Sequence, residues 1–393
     1  MARITDVFRL NFIFWKFLGI WGKSAPSKYN MAYTALYLSA SLFVYDIFLT
    51  LNLIHTPRKL ETLLRETMFY FNHLVAMTKI LKMFIRRKKI LVIFDLLDCE
   101  EFKPSDEDSQ EIMKRKNEFY YIYWRIVAVT SNLSCFMQVV GPLIKMLIWK
   151  SELGLPVCKY YFMSDEFRNK YFVIWYIYQS FGIYNQMVNN LNLDTFNCGM
   201  LWMAVGQLQI LKTKFVNFKL NDIENSLDLK TRDDMQTERL RKYLTHYEII
   251  LKYCATVQDI LNITIFVQLG MSSIVICVGL CGFVAMPSNT ETAIFMSSYL
   301  ITMTMQIFVP SWMGTQISFE CGELMSAAYC CEWIPRSKLF KRSLILFVER
   351  AKTPVRITGL KIFTLSLDTF TSIMKTTYSF FTLIRQLQVD EVN

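Results

Sequence analysis

The sequence predicts an all-α membrane protein of seven transmembrane helices, with its N-terminus cytosolic, its C-terminus extracellular and a cytosolic helical anchor region. Three observations predict it. The 393 residues are 53% hydrophobic and 15% aromatic, with a mean hydropathy of +0.26, unlike the usual soluble domain. The apolar residues gather into seven runs, each long enough to cross a hydrocarbon core of ~30 Å. Lys and Arg gather on alternate connections between the runs: 30 of the 43 fall on the side shared with the N-terminus and eight on the other. That bias marks the first side as cytosolic.

Taken in order, residues 1–30 form a basic, aromatic segment (Phe8, Phe12, Trp15, Phe17, Leu18, Trp21) expected to lie along the membrane interface. They lack an uninterrupted apolar core before a small-residue cleavage site, so no cleaved signal peptide is expected. Span 1 covers 32–54, broken by Asp46, and span 2 covers 67–85, ending in Arg86-Arg87-Lys88-Lys89. A charged segment, 95–118, precedes span 3 at 120–149, which carries Arg125 and Lys145 near its ends. Residues 171–211 hold no Lys or Arg, a stretch of about 60 Å if helical throughout. Span 4 should therefore tilt strongly or continue past the membrane as a buried helix. Residues 212–256 are charged and helical in pattern. Spans 5 (258–286) and 6 (292–313) are joined around Pro287-Ser288-Asn289. Residues 318–350 hold Glu323, Glu332, Arg336, Lys338, Lys341 and Arg342. That is too much charge for a span, so a helix outside the bilayer is expected.

Span 7, 366–387, is 22 residues long and rich in Ser and Thr. On a helical wheel, Asp368, Thr371, Ser372, Lys375, Thr376, Ser379, Thr382 and Gln386 share a stripe about 140° wide. Leu383 and Leu387 border it; Phe370, Ile373, Met374, Phe381 and Ile384 face away. A spanning helix must hide such a stripe from lipid or turn it to water, which suggests a pore lining. Hydroxyls bonded to carbonyls four residues back, or small residues packed between helices, also account for a Ser/Thr stripe. Lys375 either faces the pore or pairs with Asp368.

Composition also excludes. The net charge of +10 sits in connections between spans, so it marks topology rather than nucleic acid. Of ten Cys only Cys158 falls in an outer loop, so no extracellular intrachain disulfide is expected. No CxxC pair or Cys/His cluster at zinc spacing occurs, and His55, His73 and His246 are scattered. No metal, cofactor or enzyme activity is expected. A G-protein-coupled receptor would place its N-terminus outside and usually carry DRY and NPxxY motifs. Here none of the nine Pro follows Asn, and no such triplet closes span 3. A transporter with repeated halves and broken helices is disfavoured because neither is seen.

The C-terminal seventy residues carry a specific likeness. SAAYCCEW (326–333), KRSLILFVERAKTPVRITGLKIF (341–363), SLDTF (366–370) and IMKTTYSFFTLIRQL (373–387) closely resemble the C-terminal block of insect odorant receptors. Leu155-Pro156, Tyr161 and Asp165, then Gln179, Asp194 and Gln207-Leu208, are similar to residues of that family's second outer loop and long fourth helix. Gustatory receptors share the architecture, but the TYSFFTLIRQL ending favours the odorant branch. The resemblance implies a tuning subunit of an odorant-gated, non-selective cation channel. It implies a heterotetramer with a shared co-receptor, in the plasma membrane of olfactory sensory neuron dendrites. It also implies a central pore lined by the closing helix, with Ser372, Thr376 and Ser379 in the lining and a hydrophobic gate at Leu383 and Leu387. By the same likeness a single seven-helix domain divides into spans 1–4 with the odorant pocket (31–211), spans 5–6 with the anchor (212–360) and the pore helix (361–388).

The pocket is implied in the outer half, among spans 2, 3, 4 and 6. Apolar volatiles need aromatic and aliphatic walls with few polar groups. Depth and helical spacing give Tyr70, His73 and Leu74; Ser134, Met137 and Gly141; Tyr176, Gln179, Ile183 and Met187; and Met296, Tyr299 and Met303 as candidates.

Overall fold

Apolar periodicity nucleates the helices, but most of them outrun the apolar segment that starts them. The computed structural model describes residues 4–17, 28–150, 152–218, 228–285 and 290–392. A short 3-10 turn, Ile4–Phe8, leads into α1, Arg9–Phe17. Helices α2 (Lys28–Leu38) and α3 (Val44–His55) run on through a π-helical stretch, Ser39–Phe43. Then come α4 (Leu60–Ile85), α5 (Arg87–Leu97), α6 (Glu107–Trp149), the short α7 (Asp165–Lys170) and α8 (Phe172–Val216). The C-terminal half holds α9 (Leu229–Ala285), α10 (Thr290–Tyr329), α11 (Lys338–Ala351) and α12 (Leu367–Val392). Among the described residues, Ala32–His55, Glu107–Ile148 and Lys230–Phe283 are long and apolar enough to cross a membrane.

Residues 107–118 and 229–256, within the charged segments before spans 3 and 5, are thus helical continuations of those spans, and residues 318–329 extend α10. Hydrophobicity ends at the lipid boundary; the helix continues because its next turns bury protein-facing residues such as Met113, Ser109 and Tyr247.

The N-terminal segment departs from its expected interfacial position. Phe8 and Trp15 are fully buried, packed edge-on against Phe196 of α8 at 5.1 and 4.8 Å between ring centroids. Asn11, also sealed, donates to the Asn192 carbonyl at 2.8 Å and accepts from the Tyr120 hydroxyl at 2.8 Å. An apolar helix face serves a protein core as well as a bilayer, and here the polar partners Asn192 and Tyr120 recruit it to the core. Leu18 and Trp21 lie outside the described residues.

Helix α8 is the axis. It packs against α6, α9, α10 and α4, and α4 also lies along α9. One end of the bundle, here the base, carries α1, α5 and α11; the other, the top, carries the loop 152–164. A main apolar cluster fills the base and middle; a second surrounds Tyr45, Phe69, Val157, Tyr160 and Ile183 at the top.

Between α11 and α12, β1 (Thr358–Gly359) and β2 (Phe363–Thr364) pair antiparallel, with Thr358 opposite Thr364. Leu360 and Lys361 turn the hairpin at φ 50° and 59°, a left-handed conformation disfavoured for non-glycine residues. The turn is held by α9. Asn262 Oδ1 accepts from the Leu360 amide at 2.6 Å, and Gln258 brackets Thr358, accepting from its amide at 2.6 Å and donating to its carbonyl at 2.7 Å.

Candidate ligand cavity and pore face

Four helices line a partly open cavity of about 310 Å³. Phe69 and Asn72 come from α4, residues 123–138 from α6, residues 183–194 from α8 and residues 299–309 from α10. Ser134, Ile183, Met187, Tyr299 and Met303, all expected from the sequence, line it together. Tyr299 is nearly sealed, its ring tilted against Phe69 at 6.3 Å.

The other candidates lie elsewhere. His73 is fully buried, with Nδ1 3.4 Å from Asp46 Oδ1 and its ring beside Tyr45. Gln179, also sealed, staples the top loop: its Oε1 accepts from the Val157 and Cys158 amides at 3.0 and 3.2 Å, and its Nε2 donates to the Cys158 carbonyl at 2.8 Å. Tyr176 donates to the Val139 carbonyl at 2.6 Å. Met137 is exposed on α6, and a Cβ placed on Gly141 would meet nothing within 4 Å. Tyr70 packs on the top cluster, Leu74 is half-buried on α4, and Met296 is buried in the main cluster.

The sequence reading missed the polar floor of the cavity. Lys79 donates to Asn190 Oδ1 at 2.8 Å and forms a buried ion pair with Asp194. Asn190 and Asp194 line the cavity, one turn apart on α8. The signal was present: Asp194 is the lone acid of residues 171–211, and Lys79 is a cation within a span. Two opposite charges in neighbouring apolar helices are each costly unless they meet.

Below the cavity, α10 carries Pro310. Proline has no amide hydrogen, so the Gln306 carbonyl four residues back loses its helical donor. Gln268 of α9 replaces it, Nε2 donating to that carbonyl at 2.9 Å. Further down, α10 reaches the start of α12. The Leu367 amide donates to Thr315 Oγ1 at 2.9 Å, and Ser318 Oγ donates to the Val355 carbonyl at 3.0 Å. At Gly314 a Cβ would lie 2.1 Å from the Leu365 carbonyl oxygen, so only glycine permits this approach. Val309 and Thr315 are about 9 Å apart along the helix, at ~1.5 Å per residue. One helix thus walls the cavity and clasps the root of α12.

On α12, Ser366 Oγ accepts from the Thr369 amide at 3.2 Å, closing the helix start. Phe370 packs edge-on against Phe308 of α10 at 5.3 Å, and Ile373 and Met374 join the main cluster. The opposite side is bare in the single chain: Thr371, Ser372, Lys375, Thr376 and Ser379 are exposed, as is Leu383. Thr376 Oγ1 donates to the Ser372 carbonyl at 2.9 Å and Ser379 Oγ to the Lys375 carbonyl at 3.0 Å. The hydroxyl hydrogens are therefore used within the helix, while the oxygens stay outward as acceptors. The Leu387 side chain lies outside the described residues. A second, open groove of about 620 Å³ runs between α9 and α12, lined by Ser273, Cys277, Asp368, Ser372 and Thr376. It is larger than the four-helix cavity but lies open along the bare side of α12, so it is the poorer enclosure for a small apolar ligand.

Comparison with known proteins adds sequence and fold relatives. The family model described as 7tm Odorant receptor matches residues 59–378. Odorant receptor 59a of Drosophila melanogaster is 25% identical over 250 residues, which is 61% of this chain and 63% of that relative, less than two thirds of its length. Odorant receptor 2a of the same species is 24% identical over 323 residues, 79% of each chain. Among solved structures, the insect olfactory receptor OR5 from Machilis hrabei in complex with eugenol is similar at a TM-score of 0.79 and 16% identity, covering 98% of both chains. At that identity the likeness is one of fold.

Proposed function

The chain belongs to the 7tm odorant receptor family, and we propose that it is an odorant-binding tuning subunit of a ligand-gated, non-selective cation channel. It assembles with a shared co-receptor in a heterotetramer, in the plasma membrane of olfactory sensory neuron dendrites. Seven helices cross the bilayer with the base in the cytosol. Spans 1–4 (31–211) hold most of the odorant pocket, 212–360 form spans 5–6 and the anchor, and 361–388 form the pore helix.

The observation that carries this reading is the continuity of α10. Its upper half walls the four-helix cavity, and its lower half is bonded to the root of α12. The family membership supports a volatile ligand, and the eugenol bound by the Machilis receptor is of the size such a cavity suits. The bare polar side of α12 is suited to line water once four subunits surround it. A ligand opens the pore to the extent that it binds the open arrangement of α10 better than the closed one.

Whole-cell recording from cells expressing the chain with and without the co-receptor tests this against an odorant panel. Current should need both subunits and persist when G-protein signalling is blocked; dependence on G-protein signalling would sink the channel reading. Leu383→Ala and Leu387→Ala should each raise basal current or alter permeation. Unchanged currents in both would move the constriction elsewhere.

A further inference from the structure

The polar floor of the cavity points to a ligand class. We propose that the cavity selects neutral hydroxyl-bearing volatiles, alcohols or phenols, whose O–H donates to Asp194 Oδ2. This rests on the odorant-receptor reading above and goes beyond it.

Asp194 is 6% exposed and lines the cavity. One of its oxygens, Oδ1, is taken by Lys79. The other, Oδ2, is buried and has no hydrogen-bond partner among the described residues. A carboxylate oxygen offers only acceptor sites, so whatever satisfies it must donate. The rest of the enclosure is largely apolar, with Phe69, Ile183, Tyr299 and Met303 facing the same space. At about 310 Å³ the cavity sits at the lower end of the ~300–1,000 Å³ range of small-molecule sites.

Charge decides what kind of donor fits. Lys79 is 2% exposed and already neutralises Asp194. An ammonium ligand would bring a second cation to a balanced pair, and a carboxylate ligand a second anion; either leaves an uncompensated charge beside a buried ion pair. A neutral O–H leaves the balance intact and gains a hydrogen bond to an ion, the stronger kind. An aldehyde, ester or ether of the same shape has only acceptor oxygens, which would face Oδ2 without a proton between them. Gln186, also buried, leaves its Nε2 unpartnered two turns away. That amide suits an acceptor oxygen, but a bond to a neutral amide discriminates less than one to a carboxylate.

The test compares hexan-1-ol, octan-1-ol and 2-phenylethanol, each with its methyl ether, on cells expressing the receptor with its co-receptor. Thermal-shift binding to the purified receptor runs in parallel, since a ligand that binds the folded state raises its melting temperature. At least one alcohol should act at a concentration roughly 10- to 100-fold below that of its ether. The double variant Lys79→Met/Asp194→Leu removes the ion pair without stranding a charge. It should bring alcohol and ether within a few-fold of each other, by loss of alcohol potency and not of ether response. Equal potency in the unaltered receptor would overturn the proposal. So would an alcohol preference that survives in the double variant, or a panel that shifts melting in no case. Alcohol-selective binding without any current would instead overturn the channel reading and leave the ligand class standing.

Discussion

The two ends of α8 obey different packing rules. From residue 189 to 208 every position is buried apart from the half-exposed Asn197. From 172 to 186 burial falls on one stripe, Tyr176, Gln179, Gly182, Ile183, Asn185 and Gln186, while Val173, Ile174, Ile177, Phe181 and Tyr184 stand exposed. The lower end is a core helix, enclosed by α1, α6, α9 and α10. The upper end is a wall, with protein on one side only. A close-packed core does not deform gradually, whereas a one-sided wall moves at little cost. The cavity lies where the regimes meet, and α10 runs from one into the other. Under the proposed function, the difference assigns ligand-driven movement to the top and its consequence to the joint at the base.

The sharpest way to break the comparison is to strand a charge at the boundary. Lys79→Met leaves Asp194 buried and unpaired and should cost about 3–5 kcal/mol. The double variant Lys79→Met/Asp194→Leu should recover most of it. Thermal melting of the purified receptor in detergent measures both. A single variant as stable as the parent would mean that water reaches Asp194, and that the core regime begins lower.

Glycines probe the regimes separately. Gly314→Ala drives a methyl group into the Leu365 carbonyl and should cost about 3 kcal/mol, with loss or distortion of gating. Gly141→Ala, in the upper part of α6, meets nothing within 4 Å. Helix propensity favours the alanine by about 0.5–1 kcal/mol, and the new Cβ beside the Pro142 ring offsets part of that, so stability should change by less than about 1 kcal/mol. Melting temperatures of the pair check this; comparable destabilisation by both would erase the distinction between top and base.

The sequence showed the long helices, the polar stripe and the lone charges, because each is a property of one segment. It did not show which faces meet. Asp194 and Lys79 lie 115 positions apart, and periodicity assigns each to a face without naming the face opposite. Gln179 illustrates the ambiguity: a polar side chain on the inward stripe of α8 suits a ligand or a loop, and only the position of Val157 and Cys158 assigns it to the loop. The aromatic N-terminal helix was ambiguous for the same reason, since lipid and protein core accept the same face. Ser134, Ile183, Met187, Tyr299 and Met303 were reachable because depth and spacing suffice where four helices converge. The joint at Gly314 was not, because its meaning depends on a carbonyl 51 residues further along the chain.

The finest division between the regimes lies at Pro310, and it can be tested without touching the ligand. Gln268 is buried and donates to the Gln306 carbonyl that Pro310 leaves without a backbone donor. Gln268→Leu should cost about 1 kcal/mol and loosen α10 just beneath the cavity. If the cause is the orphaned carbonyl, Pro310→Ala in the Gln268→Leu background supplies the missing N–H and should recover most of that loss. In the parent, where Gln268 already fills the role, Pro310→Ala should gain less from its new N–H. The coupling between the two substitutions is therefore the readout, from a double-mutant cycle in melting temperature and in hydrogen exchange across residues 306–315. Additive effects would mean that Gln268 acts only by packing. Strong coupling would place a repaired break in α10 between the wall of the cavity and the segment that holds α12.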